Sequence, residues 1–246
     1  MKVSKDDVIA VIPARYNSKR FPGKLLAKLD NQPLIQYVYK TVEKTNLFGK
    51  VIVATDDNKI FKAIDAIGGC VKMTSQTHKS GTDRVAEICE KLDYRIIVNV
   101  QGDEPFINRN SLLGLIRSFT DPNVKAASLM HPFSENKDNP NFVKVVCDKD
   151  NYSLYFSRAN IPFNRDNASQ SDYFKHIGVY AFRKETLGKF VNLPQGKLEK
   201  IEKLEQLRLL ENNIQIKMVA TNYNGFGIDT PEDLQKARKM LRTNRT

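Results

Sequence analysis

The sequence has few cysteines, few glycines and no long apolar run, and each shortage excludes a class of protein. Its three cysteines are scattered, odd in number and without metal-ligand spacing, which excludes a disulfide framework and fits a reducing cytoplasm. The first apolar run, from Val8 to Ile12, is cut by Pro13 and Arg15 and is too short for a signal sequence. No apolar stretch approaches the length of a membrane span, so we expect no stable membrane insertion.

The remaining composition is that of an ordinary globular protein with an excess of positive charge. The chain has 246 residues, 41% of them hydrophobic, only 12 glycines and a net charge of +11, and its length suffices for one sizeable core. Such a charge suits nucleic acid, an anionic membrane surface or strongly anionic small substrates. Because no helix-turn-helix, zinc-finger or RNA-binding aromatic motif accompanies it, nucleic acid is not an expected partner.

Strand-like and helix-like segments alternate over the first half of the chain. This alternation indicates βαβ units and an α/β fold with a mixed, mostly parallel central sheet flanked by helices. The rhythm changes at residues 142–147, 153–157 and 176–182, which read as strands without long helices between them and indicate a smaller antiparallel insertion. We predict a core formed by residues 1–125 and 214–246 and a subdomain formed by residues 126–213.

Residues 96–105, IIVNVQGDEP, form the stretch around which the chain is organised. A buried strand is followed by Gln101, Asp103 and Glu104, and an open α/β sheet binds its ligand at the carboxyl ends of its strands. Asp229 is a candidate second carboxylate, because it precedes the helix start explained by Thr230 and Pro231. Two carboxylates with cationic loops nearby are the ingredients of Mg²⁺-assisted nucleotidyl transfer.

Two further segments have both a functional and a purely structural interpretation. The loop ARYNSKRFPGK, residues 14–24, carries four cations directly after the first strand, where it could wrap a triphosphate or simply be a solvated basic loop; it has neither a P-loop nor a GxGxxG motif. The segment SGTDR, residues 80–84, opens a helix. Ser80 or Thr82 is expected as its N-cap, and the alternative is a nucleotide contact at the helix start together with Arg84.

The predicted insertion holds three features that could contact a polar ligand: one strand face, an arginine and a glutamate. Period-two alternation puts His176, Gly178 and Tyr180 on one strand face, which could line a sugar pocket or be an exposed sheet face. Arg158 could grip a carboxylate or pair with a surface acid. Residues 197–210 read as one helix with Leu198, Ile201 and Leu204 on its apolar side, and the intruding carboxylate of Glu205 would either pair with Arg208 or meet a ligand.

Seven motifs in order resemble those of the 3-deoxy-manno-octulosonate cytidylyltransferases, the CMP-Kdo synthetases. The match spans nearly the whole chain, and seven motifs in order are far more specific than any one of them. They are PARYNSKRFPGK, SGTDR, VNVQGDEP, LYFSR, HIGVY, LEQLR and GIDTPEDL. The resemblance implies a nucleotide-diphosphosugar-transferase type of fold, a homodimer in the bacterial cytoplasm, and CTP and Kdo as the substrates from which CMP-Kdo is made for lipopolysaccharide biosynthesis.

The resemblance also implies a role for individual residues. Arg15 and Lys24 should bind the triphosphate, with Ser18 and Arg20 close by, and Lys24, Arg15 and the two aspartates should act in catalysis. The rest of the implied site comprises Ser80, Gly81, Arg84 and Gln101 around the cytidine, Asp103 and Asp229 on Mg²⁺, and Arg158, His176, Tyr180, Glu205 and Gln206 around Kdo. No side chain is assigned as general base.

The sequence departs from the family pattern in two places. Leu25 follows Lys24 where a proline is common, and the segment between residues 164–166 and His176 is shorter than expected. The second departure lies at the rim of the implied sugar pocket, so a nucleotidyltransferase for a related acidic sugar, such as 8-amino-Kdo, is the alternative. A non-enzymatic polyanion-binding protein is disfavoured, because Asp103 and Glu104 would repel a phosphate backbone.

Overall fold

The structure is a computed structural model that describes residues 2–18, 20–134, 137–165 and 173–243. The chain divides into two compact units, which we call unit I and unit II. Unit I comprises Ser4–Arg109 with Gly225–Thr246, and unit II comprises Met1–Val3 with Asn110–Asn224. No helix within the described residues is long and apolar enough to cross a membrane.

Unit I contains a parallel sheet built on a buried first strand. Its strands lie in the order β6, β1, β4, β5, and all neighbouring pairs are parallel. Every residue of β1 is buried, as expected for a run of apolar side chains covered on both faces. The strands of unit I are β1 (Val8–Ala14), β4 (Lys50–Thr55), β5 (Val71–Met73), β6 (Ile96–Asn99) and the two-residue antiparallel pair β2 (Lys28–Leu29) and β3 (Gln32–Pro33).

Helices alternate with these strands as the sequence predicts. Each buries its apolar stripe and begins or ends at recognisable local signals; α2, for example, starts after Asp57, whose side chain accepts from two backbone N–H groups. The helices of unit I are α1 (Leu34–Lys44), α2 (Asn58–Asp65), α3 (Gly81–Glu90) and α8 (Pro231–Thr243).

Unit II is mixed, with antiparallel pairing where the sequence predicts it. β10 pairs antiparallel with β7 and with β8, β8 pairs antiparallel with β9, and β11 runs parallel to β7. The mixed α/β fold class and its antiparallel part are thereby confirmed. The elements are α4 (Arg109–Ser118), β7 (Ala126–Phe133), β8 (Lys144–Cys147), β9 (Ser153–Ser157), β10 (Tyr173–Arg183), α5 (Lys184–Asn192), α6 (Lys197–Glu202), α7 (Leu207–Glu211) and β11 (Ile216–Ala220).

The unit boundaries differ from the predicted division at residues 125/126 and 213/214. β11 belongs to unit II because it pairs along its length with β7. Helix α4 packs in the same unit, where Gly114 approaches Val219 so closely that a Cβ on the glycine would lie 3.2 Å from its side chain. Which unit binds nucleotide and which binds sugar stays a prediction.

The prediction of one continuous helix over residues 197–210 is wrong. Helix α6 ends at Glu202, its C-cap residue Lys203 adopts a left-handed conformation with φ of 55°, and α7 begins only at Leu207. The Arg208 guanidinium donates to both carboxylate oxygens of Glu199, at 2.8 and 2.6 Å. In a straight helix these two residues would be about 13.5 Å apart along the axis and on opposite sides, so the pair requires the break. Ile201, expected on the apolar side, is 67% exposed.

Candidate active site

Unit I brings both predicted metal-binding carboxylates onto one ammonium group. Lys24 Nζ lies 2.5 Å from Asp103 Oδ2 and 3.0 Å from Asp229 Oδ1. The lysine side chain is only 11% exposed, whereas the two aspartates are 26% and 41% exposed. Residues separated by 79 and 205 positions in sequence therefore form one cluster at the end of the β1 and β6 strands, which we call the Lys24 cluster.

Backbone geometry holds both carboxylates in place. The Ile228 N–H donates to the Asp103 carbonyl at 3.0 Å, which fastens the segment before α8 to the loop after β6. That loop passes close under β1, because a Cβ on the buried Gly102 would lie 3.2 Å from the Pro13 carbonyl. Thr230 caps α8 by accepting from the Asp233 N–H at 3.2 Å, so Asp229 stands at a fixed distance from a rigid helix start.

Lys24 stays charged in this cluster. Burial pulls the pKa of Lys24 down, but the carboxylates of Asp103 and Asp229 outweigh it and raise that pKa above its ordinary value. Arg20 adds a second, more exposed cation, 2.7 Å from Asp229 Oδ2. The two carboxylates thus already converge on positive charge. They are also the oxygen ligands that Mg²⁺ takes together with substrate phosphates, so the donor set fits that ion.

The basic loop that carries these cations has a defined conformation at its end. Gly23 is left-handed, with φ of 69°, and its N–H donates to the Tyr16 carbonyl at 3.2 Å. Lys24 then opens a 3₁₀ turn that directs its side chain to the carboxylates. Arg15, at the start of the loop, donates to the His78 carbonyl at 3.0 Å, and Ser18 is half-buried. Lys19 lies outside the described residues.

The segment predicted to surround the cytidine lies beside the loop after β6. Ser80 is the N-cap of α3: its hydroxyl accepts from the Asp83 N–H at 3.1 Å, which confirms the capping interpretation. A Cβ built on Gly81 would lie 3.2 Å from the Pro13 ring and 4.0 Å from Gln101 Oε1. Gly81 and Gln101 are therefore neighbours at the carboxyl ends of β1 and β6, where a base could lie against them.

Arg84 differs from the other members of the predicted nucleotide set. It is fully buried, and its guanidinium donates to Asp56 Oδ2 at 2.8 Å, to the Thr74 hydroxyl and to the Ser75 carbonyl at 3.3 Å. This geometry favours a role in bracing the residues before α3 over direct contact with a ligand. Sequence reasoning missed Asp56, which follows β4 at the same end of the sheet as Asp103.

In unit II, His176 and Tyr180 lie side by side, as the period-two pattern predicts. Their ring centroids are 5.3 Å apart, and the Phe156 ring packs edge-on against His176 at 5.0 Å. His176 is 8% exposed, so the alternative of a solvated sheet face is wrong. The pairing of β10 with β7 shifts register between Ile177 and Tyr180.

Burial fixes the protonation of this pair. It lowers the pKa of His176 to about 3, so the imidazole is neutral near pH 7, and together with Glu205 it raises the pKa of Tyr180 well above the ordinary value. His176 Nε2 lies 2.9 Å from the Ser128 hydroxyl oxygen, and the carbonyls of Ile177 and Val179, at 3.2 and 3.0 Å, are the acceptors for the proton of that hydroxyl. Since that hydroxyl has one proton, the histidine donates from Nε2 and keeps Nδ1 as its acceptor.

Arg158 and the residues after α6 complete the predicted sugar set. The Arg158 guanidinium donates to the carbonyls of Glu202 and Pro140, each at 2.9 Å, so it is aimed by backbone rather than by a surface acid. Glu205 and Gln206 lie in the break between α6 and α7, and Gln206 is 5% exposed. In the segment between residues 164 and 176, where the sequence departs from the family pattern, residues 166–172 lie outside the described part of the chain.

Sequence reasoning missed three residues that support this set: Ser128, Lys144 and Glu202. Ser128 and Lys144 are both buried polar residues inside strands, and Lys144 carries the clearer signal, a lysine in the apolar run FVKVVC. Glu202 accepts from the Ser157 hydroxyl at 2.5 Å and from the Arg158 N–H at 3.0 Å. Nothing in the alternating Glu and Lys residues of its helix distinguishes it.

Comparison with known proteins gives close matches over almost the whole chain. A sequence model of the cytidylyltransferase family matches residues 9–216. The 3-deoxy-manno-octulosonate cytidylyltransferase of Christiangramia forsetii is 48% identical, over 97% of this chain and 98% of the relative. The enzyme of the same name from Thermodesulfovibrio yellowstonii is 46% identical, over 96% of this chain and 98% of the relative.

Solved structures give the same result. A structure of CMP:2-keto-3-deoxy-manno-octonic acid synthetase complexed with CTP is similar with a TM-score of 0.91 and 39% identity, over 97% of this chain and all of that one. A 4-diphosphocytidyl-2C-methyl-D-erythritol synthase from Anaerococcus prevotii has a TM-score of 0.64 at 16% identity, which shows a shared fold alone.

Proposed function

Because this chain belongs to the cytidylyltransferase family, we propose that it transfers the cytidylyl group of CTP to 3-deoxy-manno-octulosonate (Kdo). The products are CMP-Kdo, for lipopolysaccharide biosynthesis, and pyrophosphate. The observation that carries this proposal is the convergence of Asp103 and Asp229, from distant parts of the chain, on the ammonium of Lys24. The names of the closely similar relatives, Kdo cytidylyltransferases at 46–48% identity, supply the substrates.

Unit I binds the nucleotide in this proposal. Arg15, Ser18, Arg20 and Lys24 contact the triphosphate, and the fixed charges of the two arginines and the lysine neutralise the charge that moves onto the leaving pyrophosphate. The cytidine lies against Ser80, Gly81 and Gln101, beside the start of α3. Arg84 supports this segment from below through its contacts with Asp56 and Thr74.

Asp103 and Asp229 would hold Mg²⁺. When bound, that ion would supply charge neutralisation to the phosphates and polarise the phosphoryl oxygens. Two carboxylates from the protein leave room for phosphate and water ligands, which is the usual arrangement for magnesium at a nucleotide. The protein's own share of the chemistry is to keep these oxygens together, as the hydrogen bond between the Ile228 N–H and the Asp103 carbonyl does.

Unit II binds the acidic sugar. Arg158 grips the Kdo carboxylate, and His176, Tyr180, Glu205 and Gln206 contact its hydroxyl groups. A neutral imidazole whose acceptor is Nδ1 and a phenol that stays protonated are hydrogen-bonding groups suited to a sugar at pH 7. With a pKa of about 3, His176 is too weak a base to abstract a proton from a sugar hydroxyl.

The reaction is an in-line displacement at phosphorus. The anomeric oxygen of Kdo forms a bond to the α-phosphorus, the bond from that phosphorus to the bridging oxygen of pyrophosphate breaks, and the proton of the anomeric hydroxyl leaves to solvent or phosphate. Positioning and charge stabilisation account for most of the rate in such a transfer. No side chain in the described part of either unit is assigned as the general base.

Pyrophosphate release tests the proposal. We expect release only when CTP, Kdo and Mg²⁺ are all present, and a loss of kcat on the order of 100-fold or more in Asp103→Asn. Asp65→Asn, which neutralises an exposed carboxylate of α2 in the same unit, is the matched control and should keep normal activity. Pyrophosphate release with 8-amino-Kdo but not with Kdo would identify 8-amino-Kdo as the sugar substrate. No release with any acidic sugar would refute the proposed transfer.

We further propose that the enzyme is a cytoplasmic homodimer. Unit II carries the most exposed large apolar side chains of the described chain, on Leu154, Phe163 and Ile201, at 62%, 85% and 67% exposure. A second copy of the chain is the partner that the family resemblance implies for such a surface. Cys70, Cys89 and Cys147 are free thiols, as a reducing compartment favours. Sedimentation velocity of the full chain tests the dimer, and a purely monomeric species at micromolar concentration would refute it.

A further inference from the structure

Lys144 is a fully buried lysine whose ammonium is held by backbone carbonyl groups. Its Nζ donates to the carbonyls of Asn139, Phe142 and Arg158, at 3.2, 2.7 and 2.6 Å. Three protons thus meet three acceptors, which satisfies the group completely. Within the described residues no carboxylate forms a salt bridge with it. Burying a cation costs free energy, so a buried lysine held only by backbone carbonyls indicates a role other than packing.

The three carbonyls belong to the segments that flank Arg158. Two of them lie in the loop of residues 139–142, and the third is the carbonyl of Arg158 itself. Between Asn139 and Phe142 stands Pro140, whose carbonyl accepts from Arg158 Nη1 at 2.9 Å. The ammonium therefore fixes both the backbone from which the Arg158 side chain starts and the loop that holds its guanidinium.

The register of β8 extends this arrangement to the other side of the predicted sugar set. Lys144 is paired with Ser157 on β9 and with Lys175 on β10, so it lies between the residues that precede Arg158 and His176. The His176 N–H donates to the carbonyl of Val143, the residue before Lys144, at 2.8 Å. A shift of this one strand end would move both residues.

We propose that Lys144 is a positioning residue for sugar recognition, which sets the guanidinium of Arg158 through a shared cage of backbone carbonyls. This inference rests on the proposed role of Arg158 in binding the sugar carboxylate. Its physical basis is that an arginine fork recognises a carboxylate only when both groups are aligned, and a misplacement of about 1 Å costs on the order of 100-fold in rate. Lys144 does not touch substrate and acts only through Arg158 and its loop.

The test compares the effect of one substitution on KM for Kdo with its effect on KM for CTP. Lys144→Met keeps the length of the side chain and removes the ammonium. We expect it to raise KM for Kdo by about 10-fold or more and to leave KM for CTP within about 2-fold of the unmodified protein, because the nucleotide residues lie in unit I. Lys217→Met is the matched control: it removes another lysine of unit II whose Nζ donates to a backbone carbonyl, that of Asp150, and it should change neither KM.

A double-mutant cycle separates this inference from the proposed function. In an Arg158→Ala background, Lys144→Met should raise KM for Kdo no further, because both changes act on the same contact. If Arg158→Ala raises KM for Kdo and Lys144→Met alone does not, the positioning role is refuted and the role of Arg158 stands. If Arg158→Ala leaves KM for Kdo unchanged, the role of Arg158 is refuted and the positioning role falls with it.

A merely structural role would give a different result. Lys144→Met would then lower the amount of active enzyme, and kcat would fall with both KM values unchanged, which would overturn the inference. Should Lys144→Met not fold, Lys144→Arg takes its place, since it keeps a donor cation of different shape. Lys144→Arg should show a smaller rise in KM for Kdo and no change in KM for CTP. If both KM values equal those of the unmodified protein, the positioning role is refuted.

Discussion

Replacing Lys24 by methionine should convert the Lys24 cluster into a site that binds a divalent cation without nucleotide. In the present structure the ammonium lies between Asp103 and Asp229, at 2.5 and 3.0 Å. Lys24→Met removes this charge and leaves two carboxylates facing each other. The change therefore costs stability, and added Mg²⁺ should restore part of it.

The magnitude follows from the exposure of the three side chains. Breaking a fully buried ion pair costs about 3–5 kcal/mol, and an exposed pair about 0–1 kcal/mol. Lys24 is 11% exposed but its partners are 26% and 41% exposed, so solvent screening discounts the upper figure and we expect a loss of about 2 kcal/mol. For a chain of this length that loss lowers Tm by roughly 4–8 °C.

The gain on adding metal can be worked out in the same way. With a dissociation constant on the order of 1 mM, 10 mM Mg²⁺ stabilises the variant by about 1.4 kcal/mol, or roughly 3–6 °C in Tm. The unmodified protein should gain much less from Mg²⁺ alone, because its own ammonium competes for the same oxygens. Thermal unfolding with and without 10 mM MgCl₂, against NaCl of equal ionic strength, measures both values.

The control is Lys40→Met, which removes an ammonium of unit I that donates to an amide, Gln32 Oε1, at 2.8 Å. It should lose little stability and gain none from Mg²⁺. Equal stabilisation of Lys24→Met and the unmodified protein by Mg²⁺ would refute the idea that the lysine and the metal share the two carboxylates. An unchanged Tm of Lys24→Met without metal would refute the estimated contribution of the pair.

Two further predictions concern unit II. Because burial lowers the pKa of His176 from 6.5 to about 3, the unfolded chain binds a proton in this range that the folded chain does not. The stabilisation from this group is complete above pH 6.5 and is lost as the pH falls, by about 2 kcal/mol at pH 5. In urea unfolding, the stability of His176→Gln should decline less steeply towards acid pH than that of the unmodified protein. Parallel declines of the two proteins would contradict the prediction. Lys203→Gly should stabilise the chain by about 0.5–1 kcal/mol, since glycine adopts the left-handed φ of 55° without strain; a lower urea midpoint would show that the lysine side chain contributes more than its backbone costs.

The parts of the fold with strong local signals were predictable from sequence. β1 begins at Val8, where the first apolar run begins, β9 has the predicted bounds, and Ser80 and Thr230 cap the helices that follow them. These features depend on side chains within a few residues of each other. The seven ordered motifs likewise identified the family, because each is read from contiguous residues.

Residues 197–210 show where local signals fail. Their side chains favour a single helix, but the pairing of Glu199 with Arg208 needs the chain to fold back on itself at Lys203. Nine residues separate the two partners, so no helical periodicity links them. A tertiary contact overrode the local helix preference. This is the general reason that such helix breaks are not predicted from the sequence.

The sequence by itself determined the elements with strong local signals, the family and the types of side chain that the chemistry needs. Only the tertiary structure decided which of those side chains meet. Sequence reasoning assigned Lys24 to phosphate and the two aspartates to metal, whereas the fold brings all three into one cluster. The fold likewise buries Arg84 against Asp56 and holds Lys144 in a cage of carbonyls. Contacts across 79 or 205 residues depend on how strands are ordered and where loops are fastened, and no local pattern of residues encodes them.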